Sequence, residues 1–117
     1  MMYALLMYAD PAHTRAMSER AVAEVARKHA ALRSELVASG ELRGGAGLVL
    51  PDETTVLRLG SDGVVTRQGP LVADTSEHLT AYYEVDCETP ERASEISAHI
   101  LDDHVTAVEV RRIHDTA

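Results

Sequence analysis

Two hydrophobic periods laid one after the other constrain this chain more than any other feature. Tyr3 to Tyr8 is an almost continuous apolar run of strand length. Ser18 to Ser39 instead repeats its apolar residues at three- and four-residue steps, the pattern of a helix with one inward stripe. The first run reads as a strand covered on both faces and placed centrally in a sheet, and Asp10-Pro11 ends it. Ser18 supplies an N-cap hydroxyl, Met17 and Val22 have the spacing of a hydrophobic staple, and Gly40 offers the left-handed stop. A helix is therefore expected over about 18–39.

His29 falls within the apolar stripe of that helix, among Val22, Val25, Leu32 and Leu36. An imidazole in that position faces protein, where a polar group without a partner costs about 1–3 kcal/mol. Some polar group of another layer must therefore meet it, and the pattern alone leaves that group open. The residue is either a site or a hydrogen-bonded core filler.

Beyond the helix, Glu41 to Val49 reads as a strand loosened by Gly44, Gly45 and Gly47. Thr54–Leu59 and Val64–Arg67 flank Gly60-Ser61-Asp62-Gly63 as a hairpin. Residues 68–78 have no clean period and read as an ordered loop. Leu79, Ala81, Tyr83 and Val85 alternate with polar neighbours in a half-buried strand that puts Tyr82 and Glu84 on the opposite face. Thr89-Pro90 opens a second helix with Ala93, Ile96 and Ile100 inward, Asp102-Asp103 closes it, and a final strand spans about 105–113. The order is a split β-α-β plan with an added hairpin, which predicts an α+β sandwich of ferredoxin-like type. Two helices on one face leave the other sheet face uncovered, so a homodimer with facing sheets is expected.

The length of 117 residues fits one domain. A formal charge of −8 argues against nucleic acid and anionic membranes as partners. No apolar stretch approaches a membrane span and the N-terminal segment lacks a basic start, so a cytoplasmic protein is expected. Cys87 stands alone and reads as a small core residue at a strand end. His99, Asp102, Asp103 and His104 have some features of a ligand cluster, but Asp/His helix ends are usually solvated, and no metal is expected. Gly44-Gly45-Ala46-Gly47 lacks the strand-to-helix context of a phosphate loop and reads as a close backbone approach or a bulge. Tyr8 and Tyr82 either stack on a ligand or fill the sheet face. Arg111, Arg112, His13, His78 and His114 read as surface residues.

The segments MYALLMYADP, KHAALRSELVASGELRGGAGL, VTRQGPLVADTSEHLTAYYEV and VEVRRI, in this order, resemble the YCII-related proteins, and within them the branch named for an Asp-Gly-Pro-Phe motif. The resemblance implies a dimeric α/β barrel of ferredoxin-like subunits. It also implies that His29, eleven residues before Gly40, is the family's helix histidine, regarded as an active-site residue together with an aspartate. Asp10 matches that acidic position after the first strand and is the first candidate partner of His29, but a helix antiparallel to that strand carries the imidazole away from it, which leaves a carboxylate of another segment open. The family motif is here Gln68-Gly69-Pro70-Leu71, and a glutamine cannot take a proton as a carboxylate does. Asp74, in the same loop, is the candidate to replace it.

The expected chemistry is general acid or base catalysis by His29, without cofactor, on a small organic acid or ketone, of elimination or isomerisation type. Asp10 would orient the imidazole, with Gln68, Asp74, Tyr8 and Tyr82 around the ligand. The competing expectation is a non-catalytic dimeric module that binds a small molecule. Such a module would sense the molecule or dock on another protein, and family association alone links it to transcription regulation, since relatives of the branch are often encoded beside alternative sigma factors.

Overall fold

The computed structural model describes residues 1–115. Strand β1 (Met2–Ala9) leads through a short helix α1 (Pro11–Ala16) into the long helix α2 (Glu19–Ala38) and strand β2 (Leu42–Gly47). A 3₁₀ turn at Pro51–Glu53 precedes the hairpin β3 (Thr55–Gly60) and β4 (Gly63–Gln68). Strand β5 (His78–Asp86), helix α3 (Pro90–Ile100) and strand β6 (Ala107–Arg112) complete the chain. The main sheet is antiparallel in the order β2-β5-β1-β6, and β3-β4 form a separate two-stranded sheet. That order, with both helices feeding one core, is the ferredoxin-like α+β plan expected from the sequence.

Local chemistry explains the boundaries. Ser18 Oγ accepts the backbone N–H of Ala21, and Thr89 Oγ1 accepts that of Arg92, so both long helices begin on the predicted caps. Gly40 adopts φ +78°; its N–H donates to Val37 O, while that of Glu41 donates to Leu36 O, closing α2 with a Schellman motif. The one helix the sequence reading missed is α1, started by Asp10 and Pro11 within a connection too short to show a period.

Register fixes which residues face the helices. Tyr3, Leu5 and Met7 pair with Val85, Tyr83 and Ala81, and these rows form the core with Leu36, Ala93, Ile96 and Ile100. Cys87, buried just past β5, belongs to it as expected. The opposite face carries Ala4, Leu6 and Tyr8 across from Glu84, Tyr82 and Leu79. Strand β1 is central, as expected, but within this chain it is buried on one face and half-buried on the other. The hairpin stands apart: every residue of β4 is exposed, and Leu57, Leu59 and Val64 present an uncovered apolar face, Leu59 at 88% exposure. It stretches the molecule to 50 × 39 × 18 Å, with a radius of gyration of 16.0 Å. A chain of this length packed evenly would have a radius of about 13 Å.

Candidate functional site

The inward stripe of α2 does not close on the sheet. Among its residues only Leu36 is buried; Val25, His29 and Leu32 are half-buried and Val22 is 53% exposed. Beneath Val25, Ala26, His29 and Arg33 lies a cleft of about 730 Å³. Its floor is β2 together with Ala81 and Tyr83 of β5, and Met7, His104 and Val105 form its inner end. That volume lies within the range of small-ligand sites. Of the two alternatives for His29, site or core filler, the half-buried stripe fits the first: it walls a cleft between the helix and the sheet.

Two structural details hold the cleft open. Lys28, next to His29, donates from Nζ to Ile100 O (2.9 Å) and to Asp102 Oδ2 (2.8 Å), which ties α2 to the carbonyl end of α3. Asp102 also accepts the N–H groups of His104 and Val105. Burial acts to raise the Asp102 pKa, but the Lys28 ammonium and these N–H groups outweigh it and leave the carboxyl more acidic than usual. Opposite, β2 carries no side chain at Gly44, Gly45 and Gly47. A Cβ on Gly45 would come within 2.7 Å of both Tyr82 O and Tyr83 Cδ1, so only glycine there lets the Tyr83 ring lie across the strand. The glycine-rich segment thus makes the close approach expected of it, and the register of β2 against β5 also shifts between Leu42 and Gly44.

The Tyr83 ring places its hydroxyl 2.6 Å from His29 Nδ1. Burial lowers the His29 pKa, with the Lys28 charge adding to the effect, so the imidazole is neutral at pH 7. Burial raises that of Tyr83, against the Arg33 guanidinium, so the phenol keeps its proton. His29 Nε2 makes no hydrogen bond among the described residues and is not shut off from solvent. The pair can therefore present either a proton or a lone pair at Nε2, according to which partner donates at Nδ1.

The expected companions of His29 lie elsewhere. Asp10 caps α1, accepting the N–H of Ala12 at 2.9 Å, and does not line the cleft. The turn into α1 consumes the carboxylate before the chain reaches α2. Tyr8 and Tyr82 lie on the other face of the sheet, where the Tyr8 hydroxyl donates to Glu109 and Tyr82 pairs with Leu6 and Ala46. Gln68 ends β4 and accepts from Thr55 Oγ1 at 3.2 Å, and Asp74 lies exposed in the following loop. Within one chain none of these four ligand candidates reaches the cleft, because alternation sends the tyrosines to the far face and the hairpin carries the motif segment away.

Sequence reasoning missed Tyr83, Arg33 and His104. A signal for Tyr83 existed: an inward phenol and an inward imidazole on facing layers each need a partner. His104, read as part of a solvated helix end, is half-buried on the cleft wall and stacked on His13 at 5.9 Å between ring centres. Its Nδ1 is buried without a hydrogen-bond partner among the described residues. No group of three or more metal-ligating side chains occurs among the described residues. No described helix is long and apolar enough to cross a membrane.

A ferredoxin-like α+β fold with an open cleft between its long helix and its sheet defines the class of this molecule. No protein-family model matches the chain. It is 32% identical over 93 residues to "Uncharacterized protein R00369" of Rhizobium meliloti (strain 1021), covering 80% of this chain and 74% of that protein. The chain belongs to the family of that protein.

Proposed function

We propose that the cleft is the active site of a cofactor-independent enzyme of YCII-related type, in which His29 is the general acid or base and Tyr83 its partner. The observation that carries this reading is the 2.6 Å contact between His29 Nδ1 and Tyr83 Oη, with Nε2 left reachable. A neutral imidazole at physiological pH is a competent base, and a protonated phenol beside it both orients the ring and exchanges a proton with it. The substrate is a small organic acid or ketone. In an isomerisation the proton taken from one carbon returns to another; in an elimination it leaves with the departing anion. Neither reaction consumes a further reactant.

The test needs no known substrate. A panel of unsaturated acids and ketones in D₂O, followed by NMR, reports enzyme-catalysed exchange of carbon-bound protons. Exchange by the native protein should fall at least about 100-fold in His29→Gln, with the melting temperature within a few degrees. A deep loss of stability instead assigns His29 to packing.

The assembly proposed for this enzyme is a dimeric α/β barrel, two sheets meeting through the half-buried face that carries Ala4, Leu6 and Tyr8. A monomer by light scattering at micromolar concentration overturns it. The second reading, a small-molecule-binding regulatory module, is favoured by one observation: His29 meets a hydroxyl and no carboxylate. Ligand binding without proton exchange by any panel compound would select it.

A further inference from the structure

The charged residues of the cleft are of one sign. The chain carries −8 overall, yet among the described residues the cleft is lined by Arg33 and Arg43 and by no Asp or Glu. Arg43 is engaged elsewhere, donating to Gly40 O at 2.7 Å and pairing with Asp86 at 3.4 Å. Arg33, exposed on α2, makes no ion pair among the described residues; Arg27, Arg58, Arg67 and Arg112 make none either, but of these five only Arg33 lines the cleft. Val25, His29 and Arg33 follow one another at four-residue steps and so form a row along one face of α2. Each step advances about 6 Å along the helix axis. The cleft is thus graded along the row: apolar at Val25, proton-active at His29 and Tyr83, and cationic at Arg33. Beneath the row, β2 offers bare backbone at Gly45 and Gly47.

Resting on the reading of this cleft as the site, we infer that its ligand is a monocarboxylate with an apolar body, the carboxylate taken by Arg33 and the body directed toward Val25 and Met7. The choice is for the acid over the ketone. A guanidinium without a protein counter-ion is the partner a carboxylate selects, through two parallel N–H donors. A neutral ketone leaves that charge unanswered. The arrangement also limits where the chemistry falls. Arg33 and His29 are one helical turn apart on the face of α2 that walls the cleft, and His29 meets the Tyr83 hydroxyl there. The reacting carbon is therefore close to the carboxylate, not at the far end of the apolar body.

Benzoate and its neutral isostere benzamide serve as probes, titrated into the isotopically labelled full chain while the His29 ring resonances are followed by NMR. Benzoate is expected to shift them at concentrations where benzamide does not. Arg33→Gln should weaken benzoate binding about ten- to a hundred-fold, and Arg33→Lys should restore part of it. His29→Gln should keep the preference for the anion, read from the Tyr83 resonances. Equal shifts with both probes, unchanged in Arg33→Gln, overturn the carboxylate inference and leave the cleft as the site. Failure of both probes to move either His29 or Tyr83 overturns the inference together with the reading on which it rests.

Discussion

Helices α2 and α3 feed the same sheet face and do opposite things with it. Helix α3, eleven residues long, buries Ala93, Ile96, Ser97 and Ile100, and its Ser97 hydroxyl satisfies itself on Ala93 O. Helix α2, twenty residues long, buries Leu36 alone. The shorter helix seals the core, and the longer one is anchored at its C-terminal end by Leu36 and Gly40 and at its middle by Lys28, leaving a face poised over a cleft. Apolar burial is worth about 25 cal/mol per Å², so a helix of this length that forgoes it contributes less stability than its pattern allows. The difference teaches that an amphipathic stripe carrying a histidine is not by itself a core stripe.

The widest expected gap between the two helices is in stability. Ile96→Ala should cost about 2–5 kcal/mol in urea unfolding, while Val25→Ala should cost less than about 1 kcal/mol. Equal losses would show that α2 is packed as tightly as α3 and would break the comparison. Cutting the tie between them comes next. Lys28→Met removes a half-buried cation from Ile100 O, Leu101 O and Asp102, at a cost of about 1–2 kcal/mol after allowance for partial solvent screening. It should also speed amide exchange in α2 more than in α3; uniform exchange would deny Lys28 its role as a strut. Tyr83→Phe is milder, about 1 kcal/mol or less. It should nevertheless alter the His29 titration by NMR, and an unchanged titration would remove the phenol from the site.

The smallest effect is a pH dependence. His29 and His104 both have pKa values lowered in the folded state, chiefly by burial. Below the unfolded value of about 6.5 the unfolded chain therefore binds more protons than the folded one. The associated stability is complete above that pH and is lost as pH falls through the folded values. Asp102 is also lowered, with burial opposing and Lys28 prevailing, so its contribution survives to about pH 4 and fades only as pH drops further. A first, shallow decline in stability beginning near pH 6.5 and reduced in His29→Gln is the expected signature. A profile flat down to pH 4.5 would contradict the burial of both rings.

Much of the frame was legible because its determinants are local. Ser18 and Thr89 marked helix starts, Gly40 a helix end, and the glycine pair at 60 and 63 a hairpin. The site was half legible. His29 stood out as a polar ring on an apolar stripe, and the strand alternation put Tyr83 on the inward face. Their meeting was not visible, since 54 residues separate them and a register between strand and helix has no sequence signature. Asp10 misled for the same reason: a carboxylate before a helix looks alike whether it caps that helix or reaches another.

The sequence by itself determined the elements, their order and the need of His29 for a polar partner, because propensity, capping and periodicity act over a few residues. Only the tertiary structure decided that the partner is Tyr83, that Gly45 makes room for its ring, and that the stripe of α2 overhangs a cleft lined by Arg33. Those outcomes depend on how far one layer stands from another. That distance is set by Lys28 and Asp102 across 74 residues of chain and by the missing side chains of β2, neither of which a local pattern records.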